Sequence, residues 1–571
     1  MRTLRYLALL ALVLIIAGCG AAPQTAATPI VQPTTAAEAP AATSAATTEA
    51  TPEATAAATT EATTEPTTAA TEPVMGGTVT RAITAEPTSL DPHAAPGSGQ
   101  NIILPYIFDT LIFRDMDNTY KPYLAKSWEI SEDGLTVTFT LRDDVTFHDG
   151  TPLNADAVVF TFNRFKDAKT SSGEGLAMMT GVEAVDAYTV RFTFSAPSAV
   201  FFSTLVTPYA GIVSPTAVEA EGDAFGQQPV GSGPFKIAEW QQGTAVVLER
   251  NPDYKWSPET ISNPGAPYID NVVFKVIPDA ATQLAALQAG EVDLIFVNSP
   301  NHISKLTEDS TVQLIETQLN SMVYLGFNCA KAPFDDVKVR QALSHAINKD
   351  EILLAALNGM GQVAFAPMAP TLPGFDASLK DLELGYDPAK ATELLTEAGF
   401  APGPDGTMTK DDQALNLVLL TFARAPNEDV ATLIQNQLKA IGVNVEIQQF
   451  DTATAAKAAT EGQFHLILWR YDRNDADVLN VNLHSDRIGS SNRFGYSNPE
   501  VDALLDQAAQ ELDETKRAAL YVEAQKLIMP DAPWQPLYIP VDVLAISKRV
   551  EGFHLASMGR ILLNEAQVVA P

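Results

Sequence analysis

Residues Ala21 to Pro73 have no means of forming a core. Over these 53 positions the chain is almost wholly Ala, Thr, Pro and Glu, with six Glu, no Lys and no Arg. Such a segment buries too little apolar surface to offset its ordering entropy, so a disordered tether is expected. As a random coil it would span about 40 Å, and more when stretched by proline and charge repulsion. The remainder of the 571 residues must therefore fold on one side of a tether and be addressed on the other.

The address precedes the tether. Arg2 and Arg5 lead into the apolar run Leu7 to Ala17, which has signal-peptide length and is short for a membrane span. It ends Ile-Ala-Gly-Cys-Gly at Ile16 to Gly20, which resembles a bacterial lipobox. That resemblance implies cleavage after residue 18 and lipidation of Cys19, so that acyl chains hold the protein at a membrane surface. Residues 19–74 are then anchor and linker.

Charge narrows the function. The chain has 36 Lys plus Arg against 69 Asp plus Glu, net −33. Without residues 1–74 the remaining 497 residues still carry 34 basic and 63 acidic side chains, net −29. Acidity therefore belongs to the folded body. Phosphate neutralisation needs clustered Lys and Arg, so no nucleic-acid partner is expected. Two cysteines, Cys19 and Cys329, exclude a disulfide scaffold and a zinc ribbon.

The body reads as α/β. Leu135, Val137, Phe139 and Leu141 alternate with Thr136, Thr138 and Thr140, and Tyr188, Val190, Phe192 and Phe194 alternate likewise. Period two marks half-buried strands, here of antiparallel type. Between them Asn154 to Phe165 has helical spacing. Further on, Asp279 to Ala289, Asp335 to Ala356, Asp387 to Gly399, Glu428 to Ile441 and Asn498 to Leu512 read as helices. Asp279 supplies an N-cap, Pro388 an N1 proline, and Gly290 and Gly399 stop residues. Helix, glycine and strand in repeated succession suggest α/β packing.

Catalytic patterns are missing. The seven His show no H-E-x-x-H, and neither a G-x-x-x-x-G-K-[ST] loop nor a G-x-S-x-G elbow occurs. Gly231-Ser232-Gly233-Pro234-Phe235 reads as a turn before a strand. Cys329 reads as a core thiol. Asp143-Asp144 and Asp335-Asp336 read as turn or cap residues. The weight falls on binding, with no enzyme activity, cofactor or metal expected.

A signature then appears. Leu124 to Glu129, Asp133 to Thr136, VTFHDGTP at Val145 to Pro152, Ser89-Leu90-Asp91-Pro92, GSGPF at 231–235, Asn251-Pro252-Asp253-Tyr254, Leu287 to Asp293, PFDD at Pro333 to Asp336 with Val339-Arg340-Gln341-Ala342, Asn498-Pro499 and Ala532-Pro533 follow one order over about 490 residues. This set resembles the extracytoplasmic solute-binding proteins of ABC importers for peptides and nickel, family 5. The resemblance implies a two-lobed periplasmic-binding-protein (Venus flytrap) fold with an extra subdomain on lobe I. Lobe I would run over 75–276 with the subdomain at about 117–207, lobe II over 277–536, and 537–571 would return to lobe I. The crossings are expected near Val276-Ile277-Pro278 and near Pro536 to Pro540. The implied function is capture of a solute, an oligopeptide or dipeptide first, by a monomer on the outer face of the membrane or in the periplasm, with delivery to ABC permease subunits. A nickel chelate, an oligosaccharide, or sensing without transport are the alternatives.

The same resemblance indicates ligand-binding residues. Peptide-binding relatives pair the ligand's α-amine with an Asp after a Gly-Trp. Here Leu468-Trp469-Arg470-Tyr471-Asp472 replaces the Gly by Leu468, and the usual Asp-Pro becomes Asp475-Ala476. Trp469 offers a flat apolar or cation–π face, Tyr471 accompanies it, and Asp472 matches the amine clamp. Glu86, Pro87 and Thr88, just before Ser89-Leu90-Asp91-Pro92, would line the cleft and pair with a peptide main chain. Arg424, Arg470 and Arg473 are candidates for a ligand carboxylate. His93 and His484 would touch a metal chelate in a nickel-type reading. For each of these positions an ordinary structural role stands beside the functional one.

Overall fold

Pro278 shows how the chain builds its first sheet. It ends one strand, and Asp279 then caps helix Ala280–Gln288 by accepting from Thr282 N at 2.8 Å. The helix carries the chain back to a strand beside the first strand of the same sheet. In the computed structural model the described residues are 72–570, except 95, 96, 117, 319 and 474. They belong to one unit, Thr71–Pro571. The signal segment, Cys19 and the tether up to residue 71 lie outside the described residues.

The strands that frame the molecule are, in order, β1 (Thr78–Ile83), β2 (Ala125–Ile130), β3 (Thr136–Leu141), β4 (Met179–Asp186), β5 (Thr189–Phe194), β6 (Phe235–Gln241), β7 (Ala245–Arg250), β8 (Asn271–Val276), β9 (Leu294–Val297), β10 (Val312–Gln318), β11 (Ser321–Phe327), β12 (Gln362–Val363), β13 (Asn416–Phe422), β14 (Asn444–Phe450), β15 (Leu466–Asp472), β16 (Trp534–Ile539) and β17 (Val541–Ser547). One sheet has the order β10-β17-β9-β1-β8-β7-β6, and a second β12-β16-β11-β15-β13-β14. A third, β2-β3-β5-β4, is antiparallel, and β3 and β5 are the two strands with period-two patterning.

The first crossing is not at Val276-Ile277-Pro278. β9 and β10 both stay in the first sheet, so the chain passes to the second sheet between β10 and β11, at residues 318–321. Proline ended a strand there without ending the lobe. The return runs from β16 in the second sheet to β17 in the first, through Pro540.

The helices needed below are α1 (Ala155–Ala168), α2 (Ala199–Leu205), α3 (Val337–His345), α4 (Lys349–Leu357), α5 (Val478–Leu483), α6 (Pro499–Gln510) and α7 (Glu514–Asp531). The expected single helix over Asp335 to Ala356 is two, α3 and α4. Asn348 starts the second by accepting from Glu351 N at 3.0 Å, and a side chain that caps cannot also sit mid-helix. Asp336 caps α3, Asn154 caps α1, and Asn498 caps α6.

Phe139, Phe162, Phe165, Phe192 and Phe201 fill the core of the subdomain between its sheet and α1. Leu417, Leu419, Leu466 and Leu468 fill one face of the second sheet, and Ile467, Tyr471 and Trp534 the other. The subdomain reaches across to the second lobe. Gly134 has φ +68, which favours glycine, and a Cβ there would lie 2.9 Å from Leu512 Cδ1, which marks how closely the two parts approach. Asn118 donates to Thr371 O at 3.0 Å across the same divide. Among the described residues no helix is long and apolar enough to cross a membrane.

Candidate functional site

Strand parity decides what β15 offers. Leu466 and Leu468 bury one face, and Arg470 and Asp472 continue that face past the core. Ile467, Trp469 and Tyr471 take the other face. Asp472 lies opposite Ser321, the first residue of β11 after the crossing. The exposed end of β15 is therefore beside the hinge between lobes.

A cavity of about 850 Å³ opens there. One wall comes from the subdomain and α2, including Ser171, Glu174, Met178, Ser203, Thr204 and Tyr209. The other comes from the segment after β15 and from α5 and α6, including Asp472, Arg473, Asp477, His484, Arg487 and Asp506. A smaller cavity of about 50 Å³ touches both lobes at the hinge, lined by Asn298, Arg424, Arg470, Tyr538 and Asp542.

Two ion pairs shape the wall. Arg470 Nε donates to Asp472 Oδ2 at 2.7 Å, and its Nη2 pairs with Oδ1, so both carboxylate oxygens are engaged. Asp472 remains 55% exposed at its side chain, with Arg470 mostly buried behind it. Arg517, from α7, grips Asp475 in the same forked way, with Nη1 to Oδ2 at 2.9 Å. Arg517 holds the Asp475 carboxyl below its ordinary range against the opposing effect of burial. Burial and the Asp475 charge push Asp477 up to about 7. Asp542, half-buried at the hinge, is also raised by burial, with Arg470 and Arg424 opposing.

The residues singled out in the sequence divide into two groups. Arg424, Arg470 and Asp472 come together at the hinge end, and Arg473 and His484 lie in the larger wall. Trp469 packs edge-on against Phe422 at 4.8 Å with Arg493 5.4 Å from its ring centre. Tyr471 is a correction. It is buried, its hydroxyl accepts from Ala369 N at 2.8 Å and donates to Pro367 O at 3.3 Å, and parity turns it into the core. The Glu86 carboxylate is also committed: it accepts from Trp240 Nε1 at 2.8 Å and Gly243 N at 2.9 Å. Pro87 is buried, Thr88 is exposed, and neither lines either cavity. His93 stacks on Phe165 inside the first lobe, 2.6 Å from Arg164.

Nothing local in the sequence marked Ser171 to Tyr209 or Asp506 as cavity wall, because the wall exists only once the subdomain meets α5 and α6. Asp477 directly follows Asp475-Ala476, and nothing in its spacing gave it a role. The chemistry on offer is recognition. Cys329 lies outside both cavities, with its thiol pushed up to about 11 by burial. Among the described residues no group of three His, Cys, Asp or Glu side chains could hold a metal ion.

Comparison with known proteins agrees with this geometry. The sequence pattern of the bacterial extracellular solute-binding proteins, family 5 Middle, matches residues 119–487. Heme-binding protein A of Haemophilus influenzae is 33% identical over 494 residues, 81% of this chain and 87% of that one. Di/tripeptide-binding protein 2 of Pseudomonas aeruginosa is 31% identical over 470 residues, 77% of this chain and 85% of that one. Among solved structures, the oligopeptide-binding protein AppA of Bacillus subtilis in complex with a nonapeptide has a TM-score of 0.72 at 28% identity, covering 87% of this chain and 100% of that one.

Proposed function

Because the chain belongs to the bacterial extracellular solute-binding proteins of family 5, we propose that it captures a short peptide between its lobes and delivers it to the permease of an ABC importer. The observation that carries this reading is the cavity of about 850 Å³ with Asp472 on its wall and a second lobe closing over it. That volume falls within the range of small-molecule sites. A relative named for di- and tripeptides and a neighbour solved with a nonapeptide support the peptide class. A relative named for haem supports another, but Tyr209 is the one Phe, Tyr or Trp lining the cavity, and half of its lining residues carry hydroxyl or carboxylate groups. Such a surface suits a polar ligand. Arg424 and Arg470 would hold an anionic end at the hinge, and Asp472 would face the ligand with Arg470 already paired to it.

The chain binds without turning its ligand over, acts as a monomer, and is held at the outer face of the membrane by lipid on Cys19. The intact mass of the mature protein checks the last point: it should equal a chain beginning at Cys19 plus acyl groups, and an unmodified cysteine would refute it.

Ala509, half-exposed on α6, lines the cavity without belonging to a core. Ala509→Trp should fill the cavity and weaken tripeptide binding by about tenfold or more in calorimetry, equivalent to about 1.4 kcal/mol. Unchanged affinity in a folded variant would place the ligand elsewhere.

A further inference from the structure

Asp477 has no task in the fold. Its neighbours Asp472 and Asp475 are each gripped by an arginine, Arg470 and Arg517. Asp477 immediately precedes α5, yet its side chain caps nothing, and its backbone N–H is spent on Asp475 Oδ1 at 2.8 Å. Its Oδ1 is sealed from solvent with no hydrogen-bond partner. A buried carboxylate oxygen without a donor costs free energy that a proton or an incoming donor recovers.

The facing wall calls for the same kind of partner. Ser203 and Thr204 donate to Val200 O at 2.8 and 3.1 Å, and Thr207 donates to Thr204 O at 2.8 Å. Their hydroxyl protons are used, so they turn only lone pairs toward the cavity. Glu174 adds a carboxylate on that side. Acceptors therefore face the cavity from both walls, with Arg473 and Arg487 as the cations on the side of Asp477.

We propose that the cavity selects a ligand bearing an ammonium or guanidinium group besides a peptide's own α-amine, and that this group seats against Asp477. The proposal rests on the reading of this cavity as the ligand site and adds the charge class of the ligand. The groups facing Asp477 are Asp475 and Arg473 in its own loop, Arg487 beyond α5, and Arg517 and Tyr521 on α7. Arg517 is committed to Asp475. Since burial and Asp475 hold Asp477 up to about 7, a cation arriving near neutral pH displaces a proton from it. Affinity for the cation then falls as the solution is acidified below that value.

The test is calorimetry on the full chain with two tripeptides, Ala-Lys-Ala and Ala-norleucine-Ala, which differ in one ammonium group. At pH 8 the lysine peptide should bind about tenfold more tightly, and the advantage should shrink to about threefold or less at pH 6. In Asp477→Asn the ratio should fall to about one, whatever the absolute affinities. The wild-type chain alone supplies a second readout: at pH 7, heats in buffers of different ionisation enthalpy should show release of about half a proton with the lysine peptide and none with the norleucine peptide. Equal affinities for the two peptides, a lysine preference that survives in D477N, or no proton release would each overturn the proposal. If neither peptide binds, the peptide reading fails and 1,5-diaminopentane decides this one. A thermal shift with the diamine that disappears in D477N sustains it, and no shift in the wild type overturns it.

Discussion

Tyr471 and Asp472 are adjacent in β15 and end in opposite environments. The first is locked in the core by two hydrogen bonds, and the second is exposed on the cavity wall. Tyr471→Phe should leave the buried Ala369 N–H without its acceptor and cost about 1–3 kcal/mol in denaturant unfolding. Ligand affinity should stay within about twofold. A large loss of binding with little loss of stability would return Tyr471 to the site. Parity along β15 was only half legible in the sequence. Leu466, Ile467 and Leu468 are apolar on both faces, as a central strand requires, so alternation does not say which face meets the cleft. Asp472 was singled out through its motif position and Arg424 through the fit of a guanidinium to a carboxylate. Asp477 was not, because its interest lies in lacking a partner, which only three dimensions reveal.

At the scale of elements, caps were the most readable signals. Asp279, Asp387, Asn154 and Asn498 each accept a hydrogen bond from the first turn of the helix they open. The helix over Asp335 to Ala356 was misread because Ala346 and Ile347 continue its apolar stripe, while Asn348 was the stop signal. Less readable still is how elements are joined. Asp109, fully buried, accepts from Tyr123, from Ser232 Oγ at 2.9 Å and from Trp256 Nε1 at 2.8 Å, tying the subdomain to the GSGPF turn. Burial lifts Asp109 to about 6, above its ordinary 3.8, with no cation among its hydrogen-bond partners. A raised carboxyl favours the fold while protonated, below about pH 4, and that contribution is lost as pH rises through about 6. Asp109→Asn removes this dependence. The melting temperature of the variant relative to wild type should therefore improve from pH 4 to pH 7, even if the variant is less stable throughout. A difference that stays flat with pH would show that Asp109 does not titrate in the fold.

For the whole molecule, two lobes and a hinge follow from sheets that the chain joins twice, at 318–321 and at Pro540. The family resemblance implied two lobes, and the first crossing was misplaced by the helix–strand–helix–strand unit from Ala280 to Gln318. That unit looks the same in sequence whether it completes a sheet or begins another. The cavity was illegible for a related reason. Its walls lie at 171–209 and 472–510, and they meet only through the approach of the lobes marked by Gly134 near Leu512 and Asn118 on Thr371. Ligand capture by such a molecule is a population shift, driven by contacts made only when both walls engage. The most direct test of that account is native mass spectrometry of the full chain purified from cells, before and after mild denaturation and refolding. Release of a ladder of peptide masses on denaturation, with a lighter refolded protein, is the predicted result. Release of haem, a metal chelate or a sugar, or no change in mass, would contradict peptide capture.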